Sequence, residues 1–165
     1  MELIRFLKHL LLPGWYVRRV FASGDLAAIG DAIAASEKSH RGELRFVVEG
    51  PLPPSVLWRK LSPRDRAVEL FSQLRVWDTE ENSSILIYVQ LVDRRVEILA
   101  DRGIAARVPQ SGWDAICRNM EVSFGSREWR RGAQQAVARA GELLTTHFPA
   151  AKSNPNELPD PPLVL

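Results

Sequence analysis

Three carboxylates and a side-chain amide stand within five residues in Asp78-Thr79-Glu80-Glu81-Asn82. Oxygen ligands on a pliable loop suit a hard divalent cation, calcium above all. The stretch lacks the internal glycine and the terminal glutamate of an EF-hand loop, so its spacing alone also fits a solvated acidic loop. Asp101 ends a strand expected to pair with the strand that follows this loop, where it would complete a cluster with Asp78. Asp78, Glu81, Asn82 and Asp101 are therefore the candidate cation ligands, with Asp78 and Asp101 foremost.

His40, Glu43 and Arg45 form a second candidate group, a histidine at a helix end followed by alternate residues of a strand. For a phosphate ester they could serve as general acid, metal-orienting base and phosphate clamp. The simpler reading is a histidine resting on a helix dipole beside a surface ion pair. Arg102 and Arg107 flank Gly103 and could hold an anion, yet no nucleophile stands near them in the chain. The lone Cys117 follows Ile116 on an apolar stripe and reads as a buried, inert thiol. Of the five tryptophans, Trp77 adjoins the acidic loop. The chain carries no phosphate-binding glycine loop, no G-x-S-x-G elbow and no H-E-x-x-H pair, so nucleotide, serine-hydrolase and zinc-protease chemistry is not indicated.

These residues need elements to position them. A chain of 165 residues, 45% hydrophobic and 25% charged, supports one sizeable core. Its formal charge of +2 is too small to gather nucleic acid. One cysteine permits no internal disulfide, in keeping with a reducing compartment. A helix from Asp25 to near His40 is predicted by Leu26, Ile29 and Ile33, and a strand by Leu44, Phe46 and Val48. Ser62-Pro63-Arg64-Asp65 has the form of a capping box with a first-turn proline, opening a helix that ends near Leu74. SILIYVQLV, residues 84–92, reads as a central strand covered on both faces, reversed at Asp93-Arg94 into RVEILAD. Two helices follow, one through Trp113, Ile116, Met120 and Phe124, the other through Trp129, Ala136, Val137 and Leu144. The predicted fold class is α/β, a helix-backed mixed β-sheet or three-layer α/β/α-like sandwich in the order α-β-α-β-β-α-α.

The ends are different in kind. Residues 1–23 hold an amphipathic segment in which Leu3, Leu7, Leu10 and Leu11 share a stripe, and residues 149–165 are proline-rich. The stripe is too short to span a bilayer, which needs about 20 apolar residues, so no transmembrane segment is expected there. It is expected to dock on the domain or to lie on a membrane surface. The tail is expected to run extended, loose or laid across the domain by Leu158, Leu163 and Val164.

The stretch ELFSQLRVWDTEENSSILIYVQLVDRRVEILADRGI, residues 69–104, resembles the central signature of the TPM domain family in its order of helix, acidic loop, strand, Asp-Arg turn and strand. HRGELRFVVE, ADRGIAARVPQSGWDAIC and the ending NELPDPPLVL resemble a short, stand-alone bacterial branch of that family. Departures are Ser83-Ser84, where many relatives have Asn-Gly, and Asp101-Arg102-Gly103 in place of a glycine-aromatic-glycine turn. The resemblance implies a TPM-like domain over residues 24–148 and a cation site around the acidic loops. It also implies links to acid phosphatase activity in plant relatives and to repair or assembly of membrane complexes.

The function expected is thus a module that binds a divalent cation, calcium, and acts as an accessory factor for a protein partner. The alternatives are a metal-assisted phosphatase of low activity and an interaction scaffold without a ligand site. A cytoplasmic location, or one at the periphery of a membrane, is expected.

Overall fold

The computed structural model describes residues 2–151 and 155–165; Met1 and residues 152–154 of the tail lie outside the described residues. Helices α1 (Glu2–Leu11), α2 (Tyr16–Val20) and α3 (Ser23–Ser36) lead into strand β1 (Leu44–Glu49). A short helix α4 (Pro54–Trp58) and helix α5 (Pro63–Gln73) precede strands β2 (Ile85–Gln90) and β3 (Arg95–Ala100). Helices α6 (Arg102–Ala105), α7 (Gln110–Gly125) and α8 (Trp129–His147) follow, and the chain ends in strand β4 (Leu163–Val164). The predicted order is present as α3-β1-α5-β2-β3-α7-α8, with α1, α2, α4, α6 and β4 added around it.

The sheet runs β3-β2-β1-β4. β1 and β2 are parallel through the α5 crossover, with Leu44 opposite Ile85 and Glu49 opposite Gln90. β2 and β3 are antiparallel, and β4 lies parallel to the free side of β1. Period-two alternation sends Leu44, Phe46, Val48, Ile85, Ile87 and Val89 into one core beneath α3, α7 and α8. Val47, Leu86 and Tyr88 point to the opposite face, into a smaller core with Ala67 and Leu70 of α5 and with Leu158 of the tail. The sandwich therefore has three layers, and both central strands are buried along their full length.

Local chemistry explains the element ends. Ser62 Oγ accepts the Asp65 amide at 3.1 Å and Asp65 Oδ2 accepts the Ser62 amide at 3.2 Å, closing the predicted capping box. The hairpin loop is four residues, Leu91 to Arg94, rather than the two expected, because Gln90 Oε1 accepts the amides of Val92 and Asp93 and ends the ladder early. Arg94 takes the left-handed conformation at φ 55° that a glycine would otherwise supply. The turn expected at Asp101-Arg102-Gly103 is the start of α6, capped by Asp101. Among the described residues no helix is long and apolar enough to cross a membrane.

Candidate functional site

The acidic loop joins α5 to β2, and Asp101 closes the same end of the sheet because β3 runs antiparallel to β2. The Asp101 amide donates to Ser84 O at 2.9 Å, which fixes the loop's exit against the start of α6. Gly103 packs under the loop: a Cβ there would lie 2.5 Å from Asn82 O and 2.6 Å from Glu81 O. Only glycine permits this approach, and the Gly103 amide donates to Asn82 O at 2.9 Å. Asn82 itself sits at φ 53°, a left-handed conformation that asparagine tolerates better than most residues.

The four predicted ligands have different surroundings. Asp78 is exposed. Glu81 pairs through Oε1 with Arg41, and Asn82 Oδ1 accepts from Arg102 Nε at 3.0 Å. Asp101 is buried, and its Oδ1 accepts the Arg102 amide at 2.7 Å as the N-cap of α6. Asn82 and Asp101 are thus brought together through Arg102 and Gly103. Among the described residues no three His, Cys, Asp or Glu side chains converge as a metal centre.

The loop has a second property that spacing did not reveal. Thr79 Oγ1, Glu81 Oε2, Ser83 Oγ and Asp101 Oδ2 are buried and have no hydrogen-bond partner among the described residues. Leaving one polar atom so costs about 1–3 kcal/mol, and four such oxygens lie on the loop and on the Asp101 cap of α6 that closes the same end of the sheet. Thr79 and Ser83 carry no signal in the sequence, because a hydroxyl's lack of a partner is visible only in three dimensions.

His40, Glu43 and Arg45 are all buried, and each is engaged by the chain itself. His40 Nδ1 donates to Gly42 O at 2.8 Å and Nε2 accepts from Ser36 Oγ at 2.9 Å. Burial holds the imidazole below its usual pKa, against the Gly42 hydrogen bond. Gly141 of α8 allows this packing, since a Cβ there would fall 2.0 Å from Ser36 Oγ. Glu43 accepts the amides of Glu157 and Leu158, each at 3.2 Å, and Arg45 Nη1 donates to the carbonyls of Pro159 and Pro161 at 2.7 and 2.8 Å. The expected surface ion pair on this strand is replaced by two side chains that grip the backbone of the tail. Arg107 lies 4.5 Å over the Phe148 ring and donates to His147 O, so it too is used internally. Burial pushes the Cys117 thiol up to about 12, with the Glu97 carboxylate adding to it, which keeps it protonated and inert.

Beside the tail, Glu37 accepts the Leu44 amide at 3.0 Å. Burial pushes its carboxyl up to about 8, with the charges of Glu43 and Asp160 adding; burial likewise pushes Glu43 up to about 7. Between the unfolded value of 4.5 and these raised values, both groups favour holding protons in the folded chain that the unfolded chain has released. Their contribution to stability is complete below that value and is lost as pH rises through 7 and 8. Glu37→Gln keeps an acceptor for Leu44 and removes one titration. Above pH 8 it should melt higher than the unmutated chain, by at least about 1 kcal/mol of stability, with the margin shrinking as pH falls. Equal pH profiles would refute this.

The architecture is that of a short mixed sheet sandwiched between helices, with an oxygen-rich loop feeding its central strand. The model of the TPM domain matches residues 18–143, and the chain belongs to the TPM domain family. Among solved structures, the NMR structure of BA42 protein from the psychrophilic bacterium Bizionia argentinensis sp. nov. is similar to it, with 28% identity and a TM-score of 0.77 over 88% of this chain and 95% of that one. No curated protein matches the chain.

Proposed function

We propose that the chain is an accessory module that holds a divalent cation, calcium by preference, between the 78–83 loop and Asp101, and offers the surface shaped by that loop to a protein partner. The observation that carries this reading is the set of four buried oxygens, from Thr79, Glu81, Ser83 and Asp101, that have no hydrogen-bond partner among the described residues. All are oxygen donors, and two belong to carboxyl groups. Calcium accepts hydroxyl, carbonyl and water oxygens alongside few carboxylates, so a site without three converging acids still suits it. Asp78, exposed on the same loop, would turn inward as a further ligand, and Asn82 would exchange Arg102 for the ion.

The test is thermal melting of the metal-stripped chain with calcium, magnesium or EDTA. Calcium at about a hundred times its Kd should add about 2.7 kcal/mol, or roughly 5–11 °C for a chain of this size. Asp101→Asn retains the α6 cap and should melt normally in EDTA while losing most of the calcium response. No calcium response in the unmutated chain, or an equal response in the variant, would defeat the proposal.

A phosphatase reading draws less support. His40, Glu43 and Arg45 are committed to structural contacts. The exposed guanidiniums of Arg94, Arg95 and Arg127 line a cleft of about 380 Å³ beyond the other end of β2. A metal-assisted phosphoryl transfer needs cation and phosphate clamp side by side, whereas here the length of a strand separates the oxygens from those arginines.

A further inference from the structure

We propose that α1 is a membrane-surface anchor, whose outward apolar face lies in the interface of a bilayer carrying anionic headgroups while its polar face stays fastened to the domain. At 100° per residue, Leu3, Ile4, Leu7, Leu10 and Leu11 fall on one side of the helix and Arg5 and His9 on the other. A helix docked on a globular domain normally turns its apolar side inward. Here the five apolar residues are 70%, 61%, 44%, 60% and 77% exposed, and His9 is 3% exposed.

The inversion is built from specific bonds. Arg5 Nε donates to both Asp93 carboxylate oxygens at 3.1 and 2.9 Å, and Nη1 donates to Leu61 O at 2.9 Å. His9 Nδ1 accepts the Leu52 amide at 2.9 Å and Nε2 donates to Asp93 at 3.2 Å. Three separate loops thus hold the polar side, and rotating the helix to cover its leucines would break all of these bonds.

The exposed face also extends beyond the helix. Phe6 meets Trp58 edge to face at 6.0 Å, and Leu3, Phe6, Leu57 and Trp58 line one shallow groove. Trp58 is exposed at the border of this groove. Tryptophan at the rim of an apolar face is the side chain that settles at headgroup depth. Ten residues of helix are about 15 Å long, half a bilayer core, so the helix lies in the interface plane.

Charge selects a bilayer over a second copy of the chain. Residues 1–20 carry Arg5, Lys8, Arg18 and Arg19 against Glu2 alone. Lys8, Arg18 and Arg19 are exposed and form no ion pair among the described residues. The segment is thus net basic, which an anionic lipid surface neutralises and a second, equally basic copy does not.

Flotation of the full chain in EDTA, with vesicles of phosphatidylcholine alone or with about a quarter phosphatidylglycerol, tests the proposal independently of any cation site. The unmutated chain should float with the anionic vesicles and bind neutral ones roughly tenfold more weakly. Leu7→Glu with Leu11→Glu should abolish flotation without changing the melting temperature, since both side chains are exposed. Failure of the unmutated chain to float, or undiminished flotation of the folded variant, would overturn the proposal. So would a concentration-dependent dimer that the double variant dissociates in the absence of any vesicle binding, which would assign the face to self-association.

Discussion

Replacing Arg66 by alanine is expected to destabilise the protein by about 3–5 kcal/mol, the cost of breaking a buried ion pair from one side. In a chain of this length that is a fall in melting temperature of roughly 6–20 °C. Glu49 ends β1 with its carboxylate between α5 and the sheet, where it is almost wholly buried. Arg66 reaches it from α5 by Nε at 3.1 and 3.2 Å and by Nη2 at 2.7 Å, and Tyr88 Oη donates to Glu49 Oε2 at 2.6 Å. Burial pushes the Tyr88 hydroxyl well above its usual pKa, with the Glu49 charge adding to it, so this donor keeps its proton.

Without Arg66 the buried carboxylate keeps one neutral donor, Tyr88 Oη. Joint replacement, Glu49→Gln with Arg66→Met, removes the stranded charge and should recover much of the loss. Arg59, which pairs with Glu69 at the surface, supplies the contrast: its alanine variant should cost less than about 1 kcal/mol. A loss for Arg66→Ala as small as that of Arg59→Ala would show that the network carries no stability.

Removing residues 155–165 is expected to cost about 3–6 kcal/mol, from the apolar area of Leu158, Leu163 and Val164. The tail is stitched to the domain from Glu157 to Leu165. The Leu165 amide donates to Val48 O and the Gly50 amide to Leu165 O, each at 3.0 Å. Glu43 and Arg45 grip its backbone, and a Cβ at Gly30 of α3 would lie 3.4 Å from Pro161 and Pro162. Truncation also turns β1 into an open edge with a row of unpaired backbone groups, so the shortened chain should aggregate more readily. The measurement is melting of residues 1–154 alone and with a synthetic peptide of residues 155–165 added at high concentration. Lower stability with partial recovery by the peptide is the expected result; an unchanged melting temperature would show that the tail only rests on the surface.

Much of this architecture is legible in the residues. The Ser62-Asp65 box, the unbroken run from Ile85 to Gln90 and the stripes of α7 and α8 each rest on interactions within a few residues of one another. Local chemistry of that kind survives the passage from sequence to structure. The family signature runs through the same central elements.

What failed to show depends on contacts between distant segments. Leu163 and Val164 have strand propensity, but only the free side of β1 makes them β4. Glu43 and Arg45 look like a surface pair until residues 157–161 lie over them. The leucines of α1 look inward-facing by composition, and only Asp93, Leu52 and Leu61, from loops far along the chain, turn the helix the other way.

The candidate site divides along the same line. Its acidic members, Asp78, Glu81 and Asp101, were visible because a carboxylate announces itself by type. The hydroxyls of Thr79 and Ser83 became candidates only when folding buried them and withheld a donor. The sequence by itself determined the seven central elements, their order and the oxygen-rich loop, because these follow from local periodicity and side-chain chemistry. The tertiary structure alone decided which polar groups are satisfied and which apolar face is left to solvent, because burial and partnership are properties of segments brought together from across the chain.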